Sequence, residues 1–150
     1  MTSYKHTQIG YLILSLLFIL VVFFIWLNSV IPPEIASNLS FIVIMVLVAF
    51  IFASIITLTV TIDENYLRIK FGYGFFGKKF LLSEIASAKS VKNHWYYGWG
   101  IRVWFWPYMW IFNVSGFEAV EIKMKNGKIY RIGTDEPEKL ETAINQGYNI

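Results

Sequence analysis

Two long apolar runs dominate the first sixty residues. Residues 9–27 contain no charged side chain and consist almost entirely of Leu, Ile, Val and Phe, as a membrane-spanning helix of about 20 residues requires. A second uncharged run covers residues 39–62, and its last six residues, TLTVTI, alternate with the period of a strand. The pattern predicts a two-helix transmembrane anchor in residues 1–60, with spans at about 9–31 and 39–58, whose second helix leads directly into a β-strand.

A cleaved signal peptide is the alternative for the first run. Its apolar region would cover roughly 7 to 15 residues and would end in small side chains. Here the run is longer and is followed by NSVIPPE. The sequence therefore favours a retained span.

Basic residues are distributed unevenly around the two runs. The connection between them, residues 28–38, contains no Lys or Arg, whereas Lys5 precedes the first run. Four basic residues follow the second run within about 20 positions, the distance over which such residues set topology: Arg68, Lys70, Lys78 and Lys79. Because basic flanks stay in the cytoplasm, we expect a multi-pass protein with both termini cytoplasmic.

After residue 61 the chain becomes polar, and its apolar positions alternate over short distances. Asn126-Gly127 predicts a type I′ hairpin turn. A C-terminal helix is predicted after it, capped by Asp135 with Glu138 three positions later and ended by Gly147. Leu140, Ala143 and Ile144 give that helix one apolar face. Seven segments have the length and residue types of strands, at residues 66–74, 78–85, 85–92, 101–106, 109–116, 118–127 and 128–133. We expect a mainly-β domain in residues 61–150, either a small barrel or two orthogonal sheets, with the helix at one open end.

Four spaced segments carry a resemblance to a known family. They are GWGIR at 98–102, FNVSG at 112–116, AVEIKMKNGK at 119–128 and YRIGTDEPEKL at 130–140. The chain resembles the bacterial pleckstrin-homology-like membrane proteins, in which two spans precede a PH-like domain. The resemblance implies a membrane α-helical hairpin followed by a mainly-β PH-like domain in the bacterial cytoplasmic (inner) membrane. It implies no catalytic role, because the molecular activity of that family is largely undefined.

The composition argues against several classes of functional site. The chain is 56% hydrophobic and 15% charged, which fits a membrane protein, and it contains no cysteine for disulfides, thiolate zinc sites or nucleophilic attack. A net charge of +3 does not indicate a nucleic-acid partner. Metal-ligand spacing is absent, and no cofactor is predicted. The one Ser-His-Asp set considered, Ser115 with His94 and Asp135, has no supporting spacing, so the protein is predicted not to be an enzyme.

The segment FGYGFFGKK, residues 71–79, predicts a long hairpin tip. It is not a phosphate-binding loop, because no helix follows and the Gly-Lys-Ser/Thr ending is missing. Phe75 and Phe76 lie at the predicted turn, with Lys78 and Lys79 beside them. Two interpretations stay open: the rings enter the bilayer while the ammonium groups meet anionic head groups, or both rings fold back into the barrel.

Five of the six tryptophans lie within residues 93–112, in a predicted hairpin that turns at Pro107. Both faces of this hairpin are apolar, and a small barrel has one interior. At least one face is therefore expected to meet the lipid interface, the protein's own spans or a partner protein, and an aromatic small-ligand box is the remaining alternative. Arg102 is expected to hold a lipid phosphate or to contact a Trp ring. The other predicted contacts here are Trp104, Trp106 and Trp110.

Together these features predict a non-enzymatic, membrane-anchored PH-like module. It is expected to lie against the inner leaflet and to bind lipid head groups, recruit a partner, or both. The first alternative is an accessory or regulatory subunit of a membrane complex, with an unknown membrane protein as partner, and the next is a lipid-acting enzyme. A homo-oligomer is compatible with each. A channel is disfavoured, because neither apolar run contains an ionisable residue.

Overall fold

The computed structural model describes residues 4–148; residues 1–3 and 149–150, at the outer ends of the predicted anchor and domain, lie outside that range. Its helices are α1 (Tyr11–Val30), α2 (Pro33–Ala36), α3 (Leu39–Ser54) and α4 (Pro137–Tyr148). Its strands are β1 (Tyr4–Ile9), β2 (Thr57–Ile62), β3 (Tyr66–Phe71), β4 (Phe76–Leu81), β5 (Ile85–Lys92), β6 (Gly100–Phe105), β7 (Tyr108–Asn113), β8 (Glu118–Met124) and β9 (Ile129–Gly133). The predicted order, an apolar helical part followed by a mainly-β part with a C-terminal helix, is confirmed.

The two apolar helices differ in length. α1 has 20 residues, or about 30 Å, and is the one helix within residues 4–148 that is long and apolar enough to cross a membrane. α3 has 16 residues, or about 24 Å, against a bilayer core of about 30 Å. The predicted second span, about 39–58, is wrong at its C-terminal end, because the helix ends at Ser54. The alternating, β-branched TLTVTI segment begins at Thr57 and joins a sheet as β2 instead of extending the helix.

The N-terminal segment forms a strand that the sequence analysis did not predict. β1 pairs antiparallel with β2 over its whole length. Because α1 follows β1 and β2 follows α3, the helical hairpin is an insertion between two neighbouring strands of one sheet. Gly10 closes the base of this insertion: its N–H donates to the Ile56 carbonyl at 2.6 Å, and a Cβ on Gly10 would stand 2.7 Å from that oxygen. A side chain does not fit at this position.

Nine strands among the described residues form two sheets. The first has the order β1-β2-β3-β4 and the second the order β5-β8-β9-β7-β6. β7 and β9 run parallel, and the other neighbouring pairs are antiparallel. The main core includes Leu58, Val60, Ile69, Phe71, Val120, Ile122 and Ile132. The domain is thus a pair of sheets with nine strands, where the sequence predicted about seven.

The strands of the two sheets cross each other. In β7, Trp110 lies under the Lys78 ammonium of β4, at 5.4 Å, and the Phe112 ring lies 6.3 Å from the Phe71 ring of β3. Val114, the residue after β7, packs on the junction of β1 and α1. β7 therefore runs across the first sheet from β4 to β1. It crosses at the end of that sheet from which the helices leave. Two sheets whose strands cross in this way are packed orthogonally.

α4 covers the end of the core that lies away from α1 and α3. Leu140 and Ile144 are fully buried, as the predicted apolar face requires. The prediction that Gly147 ends the helix is wrong, because the helix continues to Tyr148. A Cβ on Gly147 would stand 2.9 Å from Leu82 Cδ1, so the glycine lets the last turn pack closely on the segment after β4.

The segment before α4 contacts the N-terminal strand. The predicted capping role of Asp135 is wrong, because α4 begins at Pro137 and Asp135 Oδ1 lies 2.5 Å from Nε2 of His6. The other ring nitrogen of His6 lies 3.5 Å from Glu136 Oε2. Two carboxylates that follow β9 therefore hold β1 in place through His6. Asp135 makes this contact instead of capping α4.

The β8–β9 turn is not of the predicted type. Type I′ needs positive φ at both central residues, but among the described residues only glycines have positive φ, and Asn126 is not one of them. The Gly127 N–H donates to the Met124 carbonyl at 2.9 Å, which makes Lys125 and Asn126 the central residues. Gly127, with φ +82, follows them. This is the arrangement of a type I turn followed by a left-handed glycine.

Glu141 joins α4 to β5 and predicts a pH-dependent stability. Its carboxylate accepts from the Ser90 backbone N–H at 2.8 Å and from the Ser90 hydroxyl, and these bonds lower the pKa of Glu141. Glu141→Gln should lower the midpoint of thermal unfolding in detergent by a few degrees at pH 7.

The sign of the pH dependence follows from the lowered pKa. A carboxyl whose folded-state pKa lies below its unfolded-state value stabilises the fold above the unfolded-state value, and this contribution is lost as the pH falls through the folded-state value. The difference in midpoint between the wild-type protein and Glu141→Gln should therefore shrink on acidification below about pH 4. A difference of the same size at pH 7 and pH 3 would contradict this account.

Candidate functional site

The β3–β4 hairpin, called here the basic hairpin, rests on the domain end of α3. Gly72 in its turn has φ +43, and a Cβ on it would collide with the Ser54 carbonyl oxygen, so glycine alone satisfies both conditions. Phe50, one turn earlier in α3, stacks on Tyr73 with ring centroids 6.4 Å apart and meets Phe75 edge-on at 5.7 Å. The turn is therefore fixed against the helix.

The aromatic rings of this turn face outward. Tyr73 is 72% exposed, Phe75 69% and Phe76 49%. Phe76 begins β4 opposite Phe71, but only Phe71 enters the core. Neither of the two phenylalanines predicted at the turn folds back between the sheets, and Phe75 lies directly beside α3.

Cations line the outer face of the basic hairpin. Arg68 and Lys79 lie opposite each other in the β3–β4 pair, Lys70 is nearer the turn, and a groove of about 430 Å³ runs along these side chains. Arg68 pairs with Asp63 at 2.9 Å, and the Lys79 ammonium lies 3.4 Å from the centroid of the Tyr66 ring. Lys70 forms no ion pair within residues 4–148, so its charge is available at the surface.

Lys78 lies on the opposite face of β4 from Lys79. Its ammonium is 4.5 Å from the centroid of Tyr130 and 5.4 Å from that of Trp110. Such contacts offset part of the cost of removing the charge from water. The two lysines predicted to contact lipid are therefore separated, and Lys78 and Trp110 belong to one aromatic cluster at the margin of the core.

The β6–β7 hairpin, called here the aromatic hairpin, has the predicted form and turns at Trp106-Pro107. β6 is an outer strand of the second sheet, on the side of β7 away from β9. The Tyr130 ring of β9 contacts Phe80 of β4 at 4.8 Å, farther from the helices than the contact of Phe112 with Phe71. β6 is therefore the strand of this sheet nearest the helix end, and one of its edges is unpaired within the described residues.

The tryptophans predicted as contacts differ in how far their side chains are exposed. Trp106 is 91% exposed and Phe105 is 79% exposed. Trp104 is half-buried, and its indole N–H donates to the Trp106 carbonyl at 2.9 Å. Trp110 is half-buried against the main core. Of the three tryptophans predicted as contacts, only Trp106 projects from the protein.

A second hydrophobic cluster lies on the outer face of the second sheet. Its members are Tyr97, Met109 and Ile111, with Trp104 and Ile129 packed around them. The rings of Tyr97 and Trp104 lie 4.8 Å apart. The chain's own segment around Tyr97 therefore covers the outer face of the aromatic hairpin. The prediction that one face must meet lipid, the spans or a partner did not include this possibility.

Arg102 lies on the exposed face of β6. Its Nε donates to the Trp99 carbonyl at 3.1 Å, and a Cβ on Gly98 would stand 3.1 Å from the same nitrogen. The guanidinium therefore packs on the loop that enters β6. This contact is not the predicted cation–π contact with a Trp ring, and the role of Arg102 as a lipid phosphate clamp stays a prediction.

A cleft of about 400 Å³ opens beside the junction of β1 and α1. Lys92, Asp135 and residues 115–118 contribute to its lining. Gln8 of β1 also lines it and is only 6% exposed; its Nε2 donates to the Ser115 carbonyl at 3.1 Å. Sequence reasoning missed this site together with β1, because YKHTQI is largely polar and has no apolar alternation that would indicate a strand.

The two histidines have separate surroundings. Both ring nitrogens of His6 lie against carboxylates, while His94 is exposed and stacks on Tyr96 with centroids 4.9 Å apart. The set of Ser115, His94 and Asp135 is not assembled, because Asp135 contacts His6. Within residues 4–148 no group of three or more His, Asp or Glu side chains is placed to hold a metal ion.

Comparisons of the chain with family models, with curated proteins and with solved structures found no match. The PH-like assignment drawn from residues 98–140 therefore stays a prediction. The structure establishes a coarser class: an apolar N-terminal helix long enough to cross a membrane, a β domain of two sheets, and a C-terminal helix.

The division between packed and projecting side chains of the aromatic hairpin predicts a large effect for one substitution and a small effect for another. Met109→Ala removes a fully buried side chain from the second cluster and should lower the free energy of unfolding by about 2–5 kcal/mol. Trp106→Ser changes a side chain that projects into the surroundings and should change it by less than about 0.5 kcal/mol. Chemical unfolding in detergent, followed by circular dichroism, measures both. Equal losses would show that the hairpin tip is also packed.

Proposed function

We propose that this chain is a non-enzymatic, membrane-anchored PH-like module. Its β domain lies against the inner leaflet of the bacterial cytoplasmic membrane, where it binds anionic lipid head groups, recruits a partner, or both. The main support is the contact of Phe50 with Tyr73 and Phe75, because it fixes the basic hairpin beside the domain end of an apolar helix. Outward rings beside Lys70 and Lys79 suit the head-group layer, where apolar bodies are buried and ammonium groups meet phosphate.

The exposure of α1 supports insertion into the membrane. Ile13 is its one buried residue, and side chains such as Phe18 and Ile25 are exposed. A helix that is apolar on all sides is stable when lipid or protein replaces the water around it. In this proposal α3 crosses together with α1, and local thinning of the bilayer accommodates its shorter length.

The strand pairing supports a common side for both ends of the helical hairpin. β1 and β2 are hydrogen-bonded to each other, so the chain that enters α1 and the chain that leaves α3 lie side by side. Lys5 and Lys70 flank the hairpin on this side, while the connection of residues 28–38 has no Lys or Arg. The proposed orientation is therefore a cytoplasmic domain with both termini in the cytoplasm.

An accessory or regulatory subunit is the second candidate. Trp106 and Trp95 are strongly exposed, and β6 offers an unpaired edge within the described residues. An unpaired edge can accept a strand from another chain, with aromatic side chains supplying the apolar part of the contact. In this alternative the partner is a membrane protein that covers the aromatic hairpin.

The proposed orientation predicts a labelling pattern. The chain lacks cysteine, so single cysteines report their positions cleanly. Ser29→Cys and Ser37→Cys, in the connection between α1 and α3, should react with an impermeant thiol reagent in intact cells. Ser83→Cys, exposed on the β domain, should react only after the cells are permeabilised. The reverse pattern would overturn the orientation.

Binding of anionic lipid predicts a charge-dependent change in tryptophan quenching. In nanodiscs whose lipids carry bromine near the head group, anionic lipid should increase the quenching of the full chain, and salt should remove only that increment. The double variant Lys70→Gln, Lys79→Gln should lose most of the increment, since each lysine contributes about 1 kcal/mol at such a surface.

The matched control for this experiment is Lys89→Gln, Lys123→Gln. It makes the same change of charge on β5 and β8, at two positions that line neither the groove of the basic hairpin nor the cleft beside the β1–α1 junction, and should behave as the wild-type protein does. Equal losses in the two double variants would show that only the net charge matters. They would contradict the proposal that the basic hairpin binds anionic lipid.

A further inference from the structure

We infer that the cleft beside the β1–α1 junction binds the amine-bearing head group of a phospholipid. The ammonium group would lie at Gln8 and Glu118 and the phosphate at Lys92, all of which line the cleft. The inference rests on the proposed membrane anchorage. β1 and β4 are the two outer strands of the first sheet, so the cleft and the basic hairpin lie at opposite edges and are separate sites.

Gln8 supplies the first observation for a ligand with N–H donors. The side chain is more than nine-tenths buried, and the bond from its Nε2 to the Ser115 carbonyl fixes which amide atom is the donor. The remaining atom, Oε1, is buried and has no hydrogen-bond partner within residues 4–148. A buried acceptor without a partner is unfavourable. Gln8 lines the cleft, so an N–H donor that enters there would supply that partner once the Gln8 amide turns slightly toward it.

Charge supplies the second observation. Lys92 and Glu118 lie opposite each other in the β5–β8 pair, yet neither forms an ion pair within residues 4–148. The third charged side chain of the lining, Asp135, contacts His6. The cleft therefore presents one available cation and one available anion side by side. A zwitterion with a phosphate and an ammonium group complements that arrangement.

The position of the cleft favours a lipid over a soluble zwitterion. Ile9 and Tyr11 line it, and both side chains are exposed. Tyr11 is the first residue of α1, so a molecule whose head group occupies the cleft can lay its acyl chains along the apolar surface of that helix. The volume of about 400 Å³ lies within the usual range for small-molecule sites.

The same chemistry separates two common head groups. A primary ammonium group donates three hydrogen bonds, whereas the quaternary ammonium of choline has no N–H and cannot supply the Gln8 acceptor. Phosphatidylethanolamine and phosphatidylcholine carry the same net charge and the same phosphate. A preference between them therefore isolates the N–H contacts.

The test uses the full chain in nanodiscs that contain the two lipids in equal amounts with identical acyl chains. Native mass spectrometry of the released chain counts the lipids that it retains. We expect retention of phosphatidylethanolamine to exceed that of phosphatidylcholine by about tenfold, as hydrogen bonds to a charged donor imply. Free phosphoethanolamine, added as a competitor, should displace the lipid only in large excess.

Two variants with matched controls locate the retained lipid. Glu118→Gln removes the charged acceptor at the ammonium side and should lower the ratio of the two lipids, leaving the part that depends on Gln8, whereas Glu138→Gln on the surface of α4 should leave the ratio unchanged. Lys92→Gln acts at the phosphate, which both lipids share, and should lower retention of both in equal proportion. Lys89→Gln, three residues earlier in β5, should have no effect.

The outcomes separate this inference from the proposed function. A chain that stays in the nanodisc but retains the two lipids equally would overturn the inference and leave the membrane anchor intact. A preference of undiminished size in Glu118→Gln would also overturn it, because the lipid would then lie elsewhere. Displacement by equimolar phosphoethanolamine would assign the cleft to a soluble ligand. A chain that does not enter nanodiscs at all would contradict the proposed function itself.

Discussion

The pairing of β1 with β2 is the constraint on which the rest of this structure depends. It places residues that lie 48 to 58 positions apart in the sequence side by side, and it closes the helical hairpin at its base through the Gly10 N–H and the Ile56 carbonyl. Two consequences follow. The first is that the helices leave the β domain at one defined end. The second is that β1 places His6 against Asp135 and Gln8 in the wall of the cleft.

Crossing of the sheets then decides what lies at that end. β7 runs across the first sheet beside the helix base, so β6 and the aromatic hairpin lie on the same side as the turn of the basic hairpin. Gly72 allows that turn to rest against Ser54, and Phe50 holds its rings in place. The tip around Phe75 thus lies at the end from which α1 and α3 emerge, and we infer the same end for the tip around Trp106 from the order of strands in the second sheet.

Features set by local sequence could be predicted. The apolar composition of α1, the turn at Pro107, the alternation of TLTVTI and the buried face of α4 each depend on neighbouring residues, and the structure confirms them. β1 could not be predicted in the same way, because its six residues are largely polar and gain their pairing only from a strand beyond the helical hairpin.

The distribution of the aromatic side chains and the role of Asp135 escaped prediction for a related reason. Alternation in β7 correctly indicates two apolar faces, but it does not show that Tyr97, from a preceding turn, covers one of them. Asp135 has the spacing of a helix cap, but its carboxylate contacts His6, and the position of His6 is itself set by β1. In both cases a contact distant in sequence replaced the local expectation.

The most direct test of this account measures how deeply the two tips lie in a bilayer. Single nitroxide labels at Phe75→Cys, Trp106→Cys and Ser83→Cys can be compared in nanodiscs by their collisions with oxygen, which is concentrated in lipid, and with a water-soluble nickel chelate. The account predicts that the labels at positions 75 and 106 collide preferentially with oxygen, while the label at position 83, in the turn that follows the far end of β4, collides preferentially with nickel. Labels at positions 75 and 106 that are as accessible to nickel as the label at position 83 would contradict it.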